Sequence, residues 1–137
     1  MVVNENTLKL MSSMNLGKQN EKAPQLIEEI EKKLNFKFPL EYKEFLLKCD
    51  GAEGELGKNN YLVLWPLKEI VSLNEEYEAS KYTPNLVYFG SDGGEVVYAL
   101  DKNTTPLSYV ELPLDSNKDV TTISKSFDDF IKTLYDY

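Results

Sequence analysis

The 137-residue sequence contains no histidine. That removes the side chain that most often acts as a general base near neutral pH, and the commonest metal ligand. A Ser-His-Asp or Cys-His site cannot be assembled within the chain. Cysteine occurs once, at Cys49, so no internal disulfide can form, which fits a reducing compartment. Zinc would have to rely on that thiol and carboxylates, a poor ligand set. No apolar run approaches the ~20 residues that span a bilayer. The opening stretch "MVVNENTLKLMSSMNLGKQNEK" has no basic leader followed by continuous apolar residues, so it does not read as a signal peptide, and a cytoplasmic location is expected. Positive charge is also scarce: 23 acidic residues stand against 15 basic ones, a net charge of −8. A nucleic-acid binder needs cations to displace counterions from phosphates, so this balance argues against one, and equally against docking on anionic lipid. It is compatible with a basic protein partner, and also with acids that simply keep the chain soluble.

What is present suits one folded domain over residues 1–137. At 42% hydrophobic and 12% aromatic, the chain can build a core. Residues 5–14 predict a short helix with Leu8, Met11 and Met14 on one side, followed by a polar connection over 15–22. Pro24 suits a first helical turn, where its missing N–H costs nothing. Leu26, Ile27, Ile30 and Leu34 continue as an apolar stripe, and Glu28–Lys32 and Glu29–Lys33 mark the solvated side. In "KFPLEYKEFLLKCDG" (37–51), Pro39 opens a helix whose Tyr42, Phe45, Leu46 and Cys49 face inward, and Gly51 can take the left-handed conformation that ends it. Cys49 has only Lys48 as a local activator and reads as a small core residue.

"YLVLW" (61–65) predicts a strand ended by Pro66. "LKEIVSLNEEYEAS" predicts a helix with Leu67, Ile70, Val71, Asn74 and Tyr77 along one side. "LVYFG" (86–90), "EVVYAL" (95–100) and "LSYVEL" (107–112) predict three consecutive antiparallel strands, the first two joined by "SDGG", the turn chemistry of a hairpin. Ser126 caps a last helix with Phe127, Phe130, Ile131 and Leu134 at helical spacing. The order predicts an α+β domain: a central antiparallel sheet of about four or more strands, with flanking helices on one face.

Motifs with chemical potential are few. "DSNKDVTTISKS" (115–126) begins like a calcium loop at Asp115, Asn117 and Asp119. It has Val120 where the turn needs glycine and Ser126 where a bidentate acid should close the site, so it reads as a polar loop. "GSDGGE" lies between strands with no helix N-terminus to converge on a phosphate. Carboxylate pairs such as Glu53 with Glu55 and Asp92 with Glu95 arise by chance among so many acids. Tyr61, Trp65, Tyr88 and Tyr98 lie on predicted strands. Most should pack in the core, and any that face outward would anchor a protein partner.

The ordered signals resemble a known family. "FPLEYKEFLLKCDG" is similar to the signature of the SUKH superfamily, the Smi/Knr-type domain, which shows Leu-Pro, then Tyr and Phe-Leu at helical spacing, then Asn-Gly. Here Phe38 and Asp50 replace the usual Leu and Asn and keep their physical roles. "LWPLKEIVSLNEEY", "VYFGSDGGEVVYALD", "PLSYVEL" and "SKSFDDFIKTL" resemble later family segments in the expected order, so the resemblance covers about residues 23–135. It implies an α+β fold with a central antiparallel sheet, and in bacteria an immunity protein that binds and neutralises a cognate toxin, often a nuclease. It supplies no catalytic, cofactor or metal residues. The expectation is therefore a non-enzymatic protein with no cofactor that occludes a basic toxin. Its candidate contacts are Asp50, Glu53 and Glu55 in the acidic run, and Asp92 and Glu95 at the hairpin turn. Two rivals stand beside it: a regulatory protein-interaction module, as in the fungal branch, and a carboxylate-based hydrolase.

Overall fold

The structure is a computed structural model that describes residues 4–115 and 119–137. In chain order its elements are α1 (Glu5–Leu10), β1 (Asn15–Leu16), α2 (Ala23–Leu34), α3 (Leu40–Lys48), β2 (Ala52–Leu56), β3 (Asn60–Leu64), α4 (Leu67–Glu76), α5 (Ala79–Tyr82), β4 (Leu86–Ser91), β5 (Val96–Asp101), β6 (Ser108–Pro113), β7 (Thr121–Ser124) and α6 (Phe127–Asp136). Among the described residues the seven strands form one open sheet in sequence order, each antiparallel to the next. This is the expected α+β arrangement, with a wider sheet than the apolar runs alone suggested.

Three strands come from segments read as connections. β2 lies within "DGAEGELG". Its inward positions are Ala52, Gly54 and Leu56, and its outward ones Glu53 and Glu55. The period-two pattern is present but muted, because the central inward residue is glycine. A Cβ there would stand 2.9 Å from Met14 Cα, so only glycine lets the chain entering β1 pass this closely. β1 has two residues and β7 is a polar edge strand, so neither carries a hydrophobic pattern. Asn117 of the would-be calcium loop lies outside the described residues. α1 is also shorter than expected, although Met11 and Met14 beyond it are still buried. The helix expected from Leu67 breaks after Glu76, where Glu78 takes a left-handed φ of 53° and α5 begins.

An aromatic core joins α3 and α6 to the sheet. The Tyr42 and Phe127 rings stack at 5.2 Å, and Phe45 meets Phe127 at 5.2 Å. Phe89 of β4 contacts Tyr42 at 5.1 Å and Phe130 at 5.5 Å. Phe130 also receives Tyr98 and Tyr109. The neighbouring Tyr88 is aligned with Ala99, whereas Gly90 is aligned with Tyr98. Tyr88 therefore projects to the other side of the sheet, where it meets Tyr77 at 6.4 Å and its hydroxyl lies 2.7 Å from that of Thr83. Helices thus flank β4 on both sides, not on one face as the element order implied.

Asn74 explains how α4 is held there. β3 is aligned with β4 only at Val63–Ser91 and Leu64–Gly90, with one further bond from Trp65 N–H to the Phe89 carbonyl at 3.0 Å. Pro66 then turns the chain into α4, leaving the edge of β4 at Tyr88 without a strand. The Asn74 amide fills that place. Its oxygen accepts the Tyr88 N–H at 2.9 Å, and its nitrogen donates to the Tyr88 carbonyl at 2.9 Å and to the Ile70 carbonyl at 2.7 Å.

Two stability outcomes follow. Asn74→Ala strands two buried backbone groups, each worth about 1–3 kcal/mol, so urea unfolding should show a loss of about 2–5 kcal/mol. A loss well under 1 kcal/mol would mean that water replaces the amide. Phe45→Ala should cost about 3–5 kcal/mol through lost burial and the cavity left behind, and a melting curve equal to the parent's would contradict its place in the core.

Candidate functional site

Strand alternation decides where the acids point. With Ala52 and Leu56 of β2 and Leu62 and Leu64 of β3 in the core, Glu53, Glu55 and Tyr61 face solvent. Glu55 is aligned with Tyr61 and Glu53 with Val63, and the Tyr61 hydroxyl donates diagonally to Glu53 Oε2 at 2.7 Å. That bond, then the charges of Glu53 and Glu55, raises the Tyr61 phenol above its ordinary range. The hydroxyl stays protonated, and its bond to the Glu53 carboxylate fixes the outer end of the ring.

The β4–β5 turn closes on this ring. Asp92 Oδ1 accepts the N–H groups of Gly94 at 2.8 Å and Val96 at 3.2 Å, and the Asp92 N–H donates to the Val96 carbonyl at 3.1 Å. Gly93 has a φ of +82°, and a Cβ there would lie 3.0 Å from Tyr61 Cδ1. The turn thus rests on Tyr61, which joins it to the strand pair that carries Glu53 and Glu55, about 40 residues away in sequence. Asp92 is half-buried, and after burial its charge is the next cause raising the carboxyl of Glu111, which is aligned with Tyr98 on the side of the sheet away from Tyr61. Beyond the exposed Glu95, whose carbonyl accepts the Leu114 N–H at 2.7 Å, the same side of the sheet continues into exposed Leu114, Tyr77 and Tyr82. These side chains rim a recess of about 310 Å³.

Asp50 stands apart from this face. It is half-buried, its Oδ1 accepts the Leu67 N–H at 2.8 Å, and its Oδ2 accepts from Asn20 Nδ2 at 3.3 Å. It caps α4 from the end of α3, where Pro66 provides no side-chain cap. Gly51, at φ +85°, fits against the Leu64 carbonyl and Pro66. The Asp-Gly pair therefore joins α3, β2 and α4. Of the expected contacts, Glu53, Glu55 and Glu95 are exposed, Asp92 is half-buried and holds the turn through its carboxylate, and Asp50 lies within the scaffold. Cys49 is half-buried, and burial raises its thiol.

The carboxylate pair that spacing could not show is Glu41 with Asp128. Glu41 lies in the first turn of α3 and Asp128 in the first turn of α6. The Glu41 carboxyl bonds to Asp128 and accepts the Phe127 N–H, and the Thr7 hydroxyl donates to Asp128 Oδ1. Burial, then the bond to Asp128 and its charge, pushes Glu41 up to about 7, with Asp129 adding to the rise and the Phe127 N–H opposing it. The protonated Glu41 carboxyl bonds to Asp128 and so ties α1, α3 and α6 together. Carboxyls in direct contact leave no room for a sugar or water between them, unlike the roughly 5–9.5 Å separation of glycosidase pairs. Behind them, the buried hydroxyls of Tyr42 and Tyr109 have no hydrogen-bond partner among the described residues, and burial keeps both phenols protonated.

Fold and face together describe an α+β meander domain that presents an acidic, tyrosine-bearing sheet surface. The chain belongs to the SMI1/KNR4 family (SUKH-1), whose sequence model matches residues 23–133, from the first residue of α2 to the middle of α6. No curated protein matches the sequence. Among the described residues, no helix is long and apolar enough to cross a membrane.

The Glu41 proton has a pH signature. Glu41 titrates at about 7 in the folded chain against an ordinary 4.5, so between these values the folded state holds more protons than the unfolded one. Stability should therefore fall as pH rises through that window, with the penalty fully present above it. Glu41→Gln keeps a donor toward Asp128 without the charge. It should raise the melting temperature clearly near pH 8 and little near pH 4.5. An equal gain at both pH values would exclude the protonated Glu41.

Proposed function

We propose that this protein is a cytoplasmic, non-enzymatic immunity protein that binds a cognate bacterial toxin and neutralises it by occlusion. The toxin is basic, as a nuclease domain that grips phosphates would be. Membership of SUKH-1 is consistent with such a role. The observation that carries the reading is the contact of the Gly93 turn with Tyr61. It links the two acidic segments at an outward aromatic ring, with Glu53, Glu55 and Glu95 exposed and Asp92 holding the turn. Exposed acids speed encounter with a basic partner, and a tyrosine that gives up little freedom on binding makes a good anchor. The exposed Tyr77, Tyr82 and Leu114 extend the same side with apolar contact area. Asp50 is left out of the proposed contact because its carboxylate serves the α4 N-terminus. The hydrolase reading is weaker because Glu41 and Asp128 are bonded to each other.

The test is binding to the toxin domain encoded beside this gene, followed by stopped-flow mixing at low and high salt. Replacing Glu53, Glu55 and Glu95 together by Gln should slow association about tenfold at low salt and flatten its salt dependence. Tyr61→Ala should mainly speed dissociation, with a loss of about 2 kcal/mol or more. Circular dichroism controls for folding, since exposed charges add little stability. An association rate unchanged at low salt would remove this face from the interface.

A further inference from the structure

The other end of the sheet has the opposite chemistry. The β5–β6 connection and the corner between α2 and α3 face each other across an open cleft of about 590 Å³, within the usual size of small-ligand sites. Much of its lining is apolar. Phe36 and Leu107 are half-buried, and Leu40, the first residue of α3, remains 62% exposed. An uncovered leucine at a helix start is unremarkable alone, but here it forms one wall of a concave site.

Lys37, Lys102 and Lys125 reach this cleft from three separate segments. In a chain of net charge −8, a cleft with three cations runs against the average surface. One of them is fixed in place: Lys102 Nζ donates to the Leu34 carbonyl at the C-terminus of α2, at 3.0 Å. Lys37 Nζ stands 3.8 Å from Glu31 Oε1, while the other oxygen of that buried acid accepts the Phe38 N–H at 2.9 Å. Among the described residues, the one acid in the cleft lining is Glu41.

We propose that this cleft binds a small organic anion with an apolar body, its anionic head among the three lysines and its body against Phe36, Leu40 and Leu107. Neutral and cationic ligands of the same shape are disfavoured, because only an anion gains from the lysines. The site is independent of the acidic face and lies at the opposite end of β5. Protonation tunes it. Glu41 is flanked by Asp128, Asp129 and the Phe127 N–H of α6, by Thr7 of α1 acting through Asp128, and by Tyr109 of β6, and it shares the cleft lining with the three lysines. As pH falls through about 7, Glu41 loses its charge and its repulsion of an anion.

A matched series of probes tests this on the full chain: 4-phenylbutyrate, its neutral amide and the corresponding amine, followed by amide chemical shifts in NMR titrations. The carboxylate should bind about tenfold or more tighter than the amide, with shifts centred on residues 35–41 and 102–107, and the amine should not bind. Lys125→Gln combined with Lys102→Gln should abolish the preference for the anion. Should the double variant unfold, Lys125→Gln alone, at an exposed position, should still reduce it. Leu40→Ser should weaken carboxylate and amide alike. Carboxylate binding should tighten between pH 8 and pH 6, and Glu41→Gln should remove that dependence. Equal affinity for carboxylate and amide, shifts centred elsewhere, or no binding in the millimolar range would each overturn the proposal.

Discussion

The side-chain amide of Asn74 carries a constraint on which much of the arrangement depends. A sheet strand must satisfy its backbone on both edges, and β4 loses its neighbour once Pro66 diverts the chain out of β3. A helix cannot normally replace a strand, because its own backbone groups are used internally. Asparagine can, since its amide reproduces one donor and one acceptor at the spacing of a peptide group. By bonding both polar groups of Tyr88, Asn74 locks α4 to the edge of β4. This fixes Tyr77 between Trp65 and Tyr88 and sets where the chain can re-enter the sheet.

That junction also sets the geometry of the acidic face. β3 must reach β4 at Leu64–Gly90 and Val63–Ser91 before it leaves, and this short pairing brings Tyr61 under the turn that follows Ser91. Gly93 is needed at the contact for lack of space as well as for its left-handed backbone. Asp50, which resembles a surface acid in sequence, serves the same junction by capping α4. Acids of similar appearance thus divide into two that hold backbone in place, Asp50 and Asp92, and three that the scaffold displays, Glu53, Glu55 and Glu95.

Charge is sorted along the sheet more sharply than the net value suggests. Exposed Glu95 lies at the β4–β5 turn that rests on Tyr61, beside the strands that carry Glu53 and Glu55, while three lysines surround the cleft at the β5–β6 end. β5 and β6, buried between them, keep the two surfaces apart. Glu41 and Asp128 lie on the helical side, where desolvation makes a protonated Glu41 less costly than two charges.

The helices and the central strands were legible in the sequence because each carries a strong local period. Leu26 to Leu34, Tyr42 to Leu46 and Phe127 to Leu134 recur at helical spacing, and the runs in β4, β5 and β6 are apolar because both of their faces are covered. β2 was hidden by Gly54 at its inward centre, and β1 and β7 by their short, polar edges. Of the site, the sequence by itself determined which acids were available, that histidine-dependent chemistry was excluded, and which family the ordered motifs resembled. Only the tertiary structure decided that Tyr61 faces outward, that it joins the 53–55 and 92–95 segments, that Asp50 is a cap, and that Glu41 meets Asp128. Each of these depends on strand register or on helix packing between residues far apart in the chain, and residue spacing carries no information about such distances.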